Sequence, residues 1–197
     1  PSYQEFVSVR IESSSKVETT IADDIKKSAI WAGSLGALLI FLYLLGRFRR
    51  WQFGVGALGA VLHDILILLG LYSILHDIVP FSLEVDQKFI AALLTIIGYS
   101  INDTVVVFDR IREYLKEHPT TGFLDNVNNA IGDTLSRTLM TSLTTLLVVL
   151  VLFIFGGEAI RGFAFALLLG VFVGTYSSIF VASPIFFDTT KKSMEKA

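Results

Sequence analysis

The stretch GYSINDTVVVFDRIRE, residues 98–113, places two polar side chains, Asn102 and Asp103, inside an apolar run. A charged side chain near the centre of a membrane helix costs about 2.5–3.5 kcal/mol on insertion scales, so it needs a partner or a function. The carboxyl group of Asp103 can gain and lose a proton. Proton or ion transfer is therefore the chemistry to consider first.

A second polar stripe has three- and four-residue spacing and comprises Thr134, Arg137, Thr138, Thr141 and Thr145. Arginine keeps its proton at physiological pH, whereas a carboxyl group can be titrated. If the two helices run antiparallel, Asp103 and Arg137 lie at the same end and can meet at similar depth. The pattern fits a proton or ion pathway with hydroxyl groups along it, and it also fits a static ion pair between two helices.

A third candidate is Asp64 in GALGAVLHDILILL, residues 56–69, near the middle of another apolar run. Gly56, Ala60 and Asp64 share one helix face. Adjacent helix residues differ by about 100°, so His63 is expected to point elsewhere. A functional carboxylate and a buried hydrogen-bonded contact between helices fit Asp64 equally well.

Several classes of chemistry are excluded or disfavoured. The chain has no cysteine, which excludes disulfides and thiolate chemistry, and its three histidines are not at ligand spacing, so no metal site is expected. The motifs G-x-S-x-G, H-E-x-x-H and GxxxxGK[ST] do not occur. We therefore expect neither an enzyme nor a bound cofactor. A net charge of −2 without a long basic run argues against a nucleic-acid partner.

The polar residues are set in long apolar segments. Of the 197 residues, 53% are hydrophobic and 17% are charged. A membrane helix needs about 20 mainly apolar residues. Five stretches meet this requirement and predict an all-α polytopic membrane protein: residues 28–46, 53–75, 89–108, 138–155 and 162–187.

The distribution of Lys and Arg predicts one orientation in the membrane. The Lys and Arg residues collect in the link RFRRWQ, the segment 109–137 and the tail 188–197, which are expected on the cytoplasmic side. The links HDIVPFSLEVDQ and GGEAIR are acidic or nearly neutral and are expected outside. The N-terminal residues then lie outside and the C-terminus inside.

Two segments outside the spans also carry a pattern. Residues 122–136 have apolar side chains at helical spacing, which predicts an amphipathic helix at the cytoplasmic interface before the next span. YQEFVSVRIES, within residues 1–20, alternates loosely and predicts one strand of an external domain whose partners lie upstream. An odd number of spans with an external N-terminus predicts an earlier helix as well.

The last span contains small residues at every fourth position. Such a stripe lets another helix approach closely, so a packing role is expected for Gly162, Ala166, Gly170, Gly174 and Ser178.

With these features in place, GYSINDTVVVFDRIRE resembles the signature of the SecF family of protein-export membrane proteins, or of the SecF half of fused SecDF chains. Four further segments agree in order over about residues 20–187: IADDIKKSA, AVLHD, TLSRTLMTSLTTLL and GGEAIRGFAFALLLGVFVGTYSSIFVASPI.

The resemblance implies a fold. A SecF contributes six spans to a pseudo-twofold, twelve-helix domain of the resistance-nodulation-division type, with SecD as the other half. It also carries an external α+β domain between its first two spans. Residues 21–187 would then hold five of the six spans, and residues 1–20 the end of the external domain.

The resemblance also implies a function, which is to use the proton-motive force to assist preprotein translocation across the bacterial inner membrane beside SecYEG. SecD would be the main partner, with YajC and YidC as further ones, and protons would be the coupling ion. In that family the aspartate of the NDT segment and the arginine of the SRT segment are associated with proton transport, and they match Asp103 and Arg137. Asn102 is expected to orient the carboxylate, and Thr138 and Thr141 to line a water path.

Two alternatives remain open from the sequence. One is a related resistance-nodulation-division transporter of a small hydrophobic substrate, such as a drug or a lipid, although such chains normally carry larger external domains. The other is a non-conducting structural subunit in which Asp103 and Arg137 only hold two helices together. A sodium ion in place of the proton is also open.

Overall fold

The computed structural model describes residues 27–28 and 30–194. The strand predicted within residues 1–20 lies outside the described residues, as does the end of the predicted tail. Contacts between residues divide the chain into two units, Pro1–Ala37 and Leu38–Ala197. The described part of the first unit is helical, and the second unit holds every candidate site residue.

The described residues form helices joined by short links. We number the helices α1 (Ile30–Phe48), α2 (Trp51–Leu75), α3 (Gln87–Glu117), α4 (Phe123–Phe155), α5 (Glu158–Ser177) and α6 (Ser183–Met194), with a π-helical turn at Ser178–Ala182 between the last two. Five helices are long and apolar enough to cross a membrane, if α5, the π-helical turn and α6 are taken as one. This confirms the prediction of an all-α polytopic membrane protein.

α3 begins and ends at local signals in the sequence. The side chain of Asp86 accepts a hydrogen bond from the backbone N–H of Phe89 at 3.0 Å and caps the first turn. His118 caps the other end through its N–H, and Pro119 follows. The 31 residues of α3 exceed the predicted span 89–108 at both ends.

α4 is one continuous helix of 33 residues. It includes both the predicted interfacial helix 122–136 and the predicted span 138–155, which the sequence pattern had treated as two elements. Continuity is possible because no proline occurs between Phe123 and Phe155. The helix ends at Gly156, and Gly157 then adopts a left-handed φ of 75°, which favours glycine.

The fifth span widens near its proline instead of ending there. Pro184 lacks an N–H and cannot continue the regular hydrogen-bond ladder, and the preceding turn, Ser178–Ala182, is π-helical. The Ser183 hydroxyl donates to the carbonyl of Ser178 at 3.2 Å across this turn. The chain then continues as α6 to Met194.

Two apolar clusters hold the second unit together, one towards each end of α2 and α3. The first includes Phe53, Phe108 and Phe186, whose ring centroids lie 4.1–5.7 Å apart. The second includes Tyr72 and Phe89, whose ring centroids are 4.5 Å apart. Along both helices the buried polar residues fall between these clusters, except Gln52 at the start of α2.

α5 approaches α3 closely along its small residues. A Cβ atom added to Gly174 would lie 3.1 Å from the Cβ of Ser100, and one added to Gly170 would overlap the side chain of Ile96. Glycine at these positions lets the two backbones come near enough for short polar side chains to bond across the interface.

Candidate functional site

A layer of buried polar side chains crosses the bundle between the two apolar clusters. Its members are contributed by α2, α3, α4, α5 and the π-helical turn: Asp64, Ser100, Asp103, Thr104, Thr138, Ser142, Ser177 and Ser178. Burying a polar group lowers stability unless the group is hydrogen-bonded, so each hydrogen bond in this layer contributes to the stability of the fold.

Asp103 lies on the buried face of α3 with 8% of its surface exposed. Its Oδ1 accepts a hydrogen bond from Thr138 Oγ1 of α4 at 2.9 Å. Its Oδ2 is buried and has no hydrogen-bond partner within residues 30–194. The carboxyl group is therefore fixed at one oxygen, and the other oxygen is where a proton or a donor from another chain would bind.

Arg137 does not contact Asp103 in the structure. Its side chain is exposed, and the ion pairs formed within the described part of the chain do not include the two residues. Thr138, the next residue, occupies the position facing Asp103, and adjacent residues point about 100° apart around a helix. The direct pairing expected from the sequence is thus not formed here, and the part of Arg137 in proton transfer stays a prediction.

The other two pathway candidates also lie away from the carboxylate. Asn102 is exposed and does not bond to Asp103. Thr141 is exposed as well, and its hydroxyl bonds to the backbone carbonyls of Arg137 and Thr138 at 3.1 and 2.9 Å. Of the residues predicted for the proton pathway besides Asp103, the structure brings Thr138 into contact with its carboxylate.

Asp64 is the second buried carboxylate, with 2% of its surface exposed. Its Oδ2 accepts hydrogen bonds from Ser100 Oγ of α3 at 2.6 Å and from Ser177 Oγ of α5 at 2.9 Å. Its Oδ1 lies 3.1 Å from Nδ1 of His63. The expectation that His63 points elsewhere is therefore wrong, because the ring turns back toward its neighbour although the two Cβ atoms diverge.

Further hydroxyl groups extend the layer. Ser178 Oγ lies 2.9 Å from Thr104 Oγ1 and donates to carbonyls within 3.2 Å, so it bonds across the interface in addition to lying on the small-residue stripe. Ser142 Oγ lies 2.6 Å from Thr175 Oγ1, and the Tyr99 hydroxyl donates to Ser142 at 3.3 Å.

The sequence interpretation missed Ser142, Thr175 and Ser177. The available signal was the run TYSS in the last span and the serine in LMTSL, which place hydroxyl groups inside strongly apolar stretches. Such groups are common in membrane helices because they bond to their own backbone, so composition alone does not mark them as part of a site.

Charged side chains join the helices outside this layer, at the end of α3 near Glu117. Arg47 of α1 pairs with Asp109 at 2.7 Å, and Arg110 pairs with Asp133 of α4 at 2.6 Å. Tyr114 also donates to Asp133 at 2.6 Å. These groups are exposed, so each pair contributes little to stability.

Comparison with known proteins places these features in a family. A family model described as "Protein export membrane protein SecD/SecF, C-terminal" matches residues 2–192. The chain is 62% identical over 165 residues to protein translocase subunit SecF of Rhodothermus marinus, which covers 83% of this chain and 53% of that protein. It is 45% identical over 177 residues to SecF of Rhodobacter capsulatus, with 90% of this chain and 51% of that protein covered.

A solved structure shares the fold. The crystal structure of SecDF in a super-membrane-facing form matches with a TM-score of 0.80 and 46% identity, over 88% of this chain and 23% of that one. The chain spans about half the length of the curated SecF relatives that it matches.

Proposed function

Because the chain belongs to the family of protein-export membrane proteins SecD and SecF, we propose that it works as a SecF-like subunit of a SecDF complex. In this proposal the complex uses the proton-motive force to assist preprotein translocation across the bacterial inner membrane. SecD supplies the other half of the membrane domain, SecYEG is the channel beside it, and YajC and YidC are further partners. The N-terminal residues lie on the periplasmic side and the C-terminus in the cytoplasm.

The observation that carries the proposal is the geometry of Asp103. Its carboxyl group is buried in helices long and apolar enough to cross a membrane, yet one of its oxygens has no partner within residues 30–194. A purely structural carboxylate is normally satisfied at both oxygens. An oriented but half-satisfied carboxyl group suits a site that binds and releases a proton.

Thr138 couples the protonation of Asp103 to the packing of α4. The ionised carboxylate accepts a charge-assisted hydrogen bond from the Thr138 hydroxyl, and such bonds are roughly twice as strong as neutral ones. Protonation weakens this bond between α3 and α4. The helices can then rearrange and transmit the change to the external domain.

The energy available is sufficient for this purpose. A proton crossing a potential of 100 mV and a gradient of one pH unit releases about 3.7 kcal/mol in all. That free energy changes the ratio of two conformations by about 500-fold. The protein itself needs no nucleotide site for such a step.

The static ion pair is the alternative that bears most directly on the geometry. It requires Asp103 and Arg137 to be in contact, and the two do not pair in this structure. The exposed position of Arg137 supports a role toward another chain or toward water. No contact in the polar layer favours a drug or lipid substrate.

The test is proton flux through the complete protein together with its SecD partner, reconstituted in liposomes that enclose a pH-sensitive dye. Asp103→Asn is expected to abolish flux because the amide cannot exchange a proton. Asp109→Asn is the matched control, since Asp109 is an exposed carboxylate of the same helix. Wild-type flux in Asp103→Asn would overturn the proposal.

A further inference from the structure

The contacts of Asp64 connect three helices through one buried carboxyl group. Ser100 belongs to α3, Ser177 to α5, and His63 precedes Asp64 on α2. No Lys or Arg pairs with Asp64 in the part of the chain that the structure describes. A buried carboxylate without a permanent cation must be stabilised by hydrogen bonds or by a bound proton.

The two oxygens of Asp64 have different partners. Both serine hydroxyls bond to Oδ2, at 2.6 and 2.9 Å, and a hydroxyl group facing a carboxylate donates its hydrogen. Oδ2 is therefore an acceptor and is occupied. Oδ1 faces the imidazole nitrogen Nδ1 of His63 at 3.1 Å. A proton bound by this carboxyl group would lie on Oδ1, between the carboxyl group and the ring.

We propose that His63 and Asp64 form a second proton-binding site, in which the imidazole ring passes one proton between the surface of this chain and the buried carboxyl group. Without the extra proton, Nδ1–H donates to an ionised Oδ1, and Nε2 carries a lone pair. Uptake places a proton on Nε2 while the Nδ1 proton moves to Oδ1. The product is a neutral carboxylic acid beside a neutral imidazole, and the net charge of the pair changes from −1 to 0.

The difference in exposure between the two side chains gives the relay its direction. The side chain of His63 is 30% exposed, whereas that of Asp64 is 2% exposed. The two nitrogens of an imidazole lie on different sides of the ring, so Nδ1 can contact Asp64 while Nε2 exchanges protons with a group outside this chain. Asp64 alone has no such route.

The titratable and charged groups on the elements packed around the pair form no ion pair with His63 or Asp64 in the described part of the chain. α2 carries no other charged side chain. α3 contributes Tyr99 and Asp103, α5 contributes Tyr176, whose ring centroid is 6.2 Å from that of His63, and the π-helical turn contributes none. The charged residues of α6 begin at Asp188, more than one helical turn after the π-helical turn ends at Ala182.

The pair is connected to the site of the proposed function through Ser100, which bonds to Asp64 and lies on the same helix as Asp103. Ser100 and Asp103 are three residues apart on α3 and lie on the same face. Proton uptake by Asp64 changes the charge that Ser100 and Ser177 face, and with it the strength of the bonds joining α2 to α3 and α5. This inference does not rest on the proposed function, because the pair can bind a proton whether or not Asp103 conducts one.

The experiment is a rapid pH jump on the complete complex in lipid, followed by infrared difference spectroscopy of protonated carboxylic acids. Wild type and Asp103→Asn should both show a carbonyl band that Asp64→Asn loses. His63→Gln should retain this band but slow its appearance about 100-fold, the usual contribution of a positioned proton-transfer group. His76→Gln is the control, since that histidine lies beyond α2 and contacts a backbone carbonyl.

Two results would overturn the inference. The first is a band in Asp103→Asn that persists when Asp64→Asn is added to that variant, and the second is appearance of the Asp64 band at the wild-type rate in His63→Gln. If Asp64→Asn does not assemble, the rate in His63→Gln decides the matter by itself, since this variant keeps both serine bonds to the carboxylate. Loss of the band in Asp103→Asn but not in Asp64→Asn would assign the proton to Asp103 alone.

Discussion

The two buried carboxylates of the polar layer differ in how completely this chain satisfies them. Asp64 has three partners from three helices, and both of its oxygens are engaged. Asp103 has one partner, Thr138, and its second oxygen has none within residues 30–194. The Asp64 site is therefore complete within this chain. The Asp103 site is open, which is the arrangement expected where a second chain or a transferred proton completes it.

The largest expected difference is in stability. Asp64→Ala should lower the free energy of unfolding by about 2–5 kcal/mol, since it removes three contacts worth about 0.6–1.7 kcal/mol each in membrane proteins. Asp103→Ala removes one such contact and should cost no more than about 1.7 kcal/mol. Unfolding in mixed micelles, followed by circular dichroism, measures both. Equal losses would mean that the two sites are equally structural.

The second largest loss of stability is expected when the contact between Gly174 and Ser100 is overpacked. Gly174→Val brings methyl groups against Ser100, which donates to Asp64, and overpacking of this kind costs about 1–3 kcal/mol. Gly98→Val is the matched control, because a Cβ at that position has no neighbour within 4 Å. A Gly174→Val complex as stable as Gly98→Val would show that the α3–α5 interface can yield.

Substitution of Arg137 tests whether the proposed proton site includes a group other than the Asp103 carboxyl group. Arg137→Gln should lower proton flux about tenfold, equivalent to about 1.4 kcal/mol, if its charge assists proton release from Asp103. Its stability should stay within about 0.5 kcal/mol of wild type because the side chain is exposed. Arg50→Gln, also exposed, serves as the control in the same liposome assay. Unchanged flux would remove Arg137 from the pathway.

The smallest effect is expected at Thr138. Thr138→Val keeps the shape of the side chain but removes the hydrogen bond to Asp103, at a cost of about 0.5–1.5 kcal/mol, and Thr138→Ser should restore it. Thr144→Val gives the baseline, since the Thr144 hydroxyl is exposed and bonds only to its own helix. Thr138→Val should differ from this baseline both in the free energy of unfolding and in proton flux, whereas Thr138→Ser should not; if Thr138→Val matches the baseline, the contact has no energetic role.

The length and polarity of the segments were predictable because burial in lipid leaves a strong pattern in the sequence. The five apolar stretches can be identified without coordinates, and so can the ionisable residues Asp64 and Asp103 in two of them. The continuity of α4 could not be predicted from the sequence, because an amphipathic segment followed by an apolar one fits both a bent helix and a straight helix. Propensity distinguishes the two poorly when no proline intervenes.

The partners of each carboxylate were the least predictable part. Helical spacing placed Arg137 and Thr138 on the same stripe, yet the 100° between them decides which one meets Asp103. The same spacing argument separated His63 from Asp64, and the orientation of one ring brought them together. Contacts of this kind depend on rotamers and on how deeply one helix sits against another, which the spacing of residue types does not contain.

Because α4 is continuous, a small tilt of the helix at the Thr138 contact produces a larger displacement at its far end. From Thr138 to Phe155 the helix rises about 26 Å, so a tilt of about 5° at the contact swings the far tip by about 2 Å. Because no proline interrupts the helix, a sharp kink that would absorb this displacement is not expected. The loss of a single hydrogen bond at Asp103 can in this way displace the end of α4 at the opposite face of the bilayer.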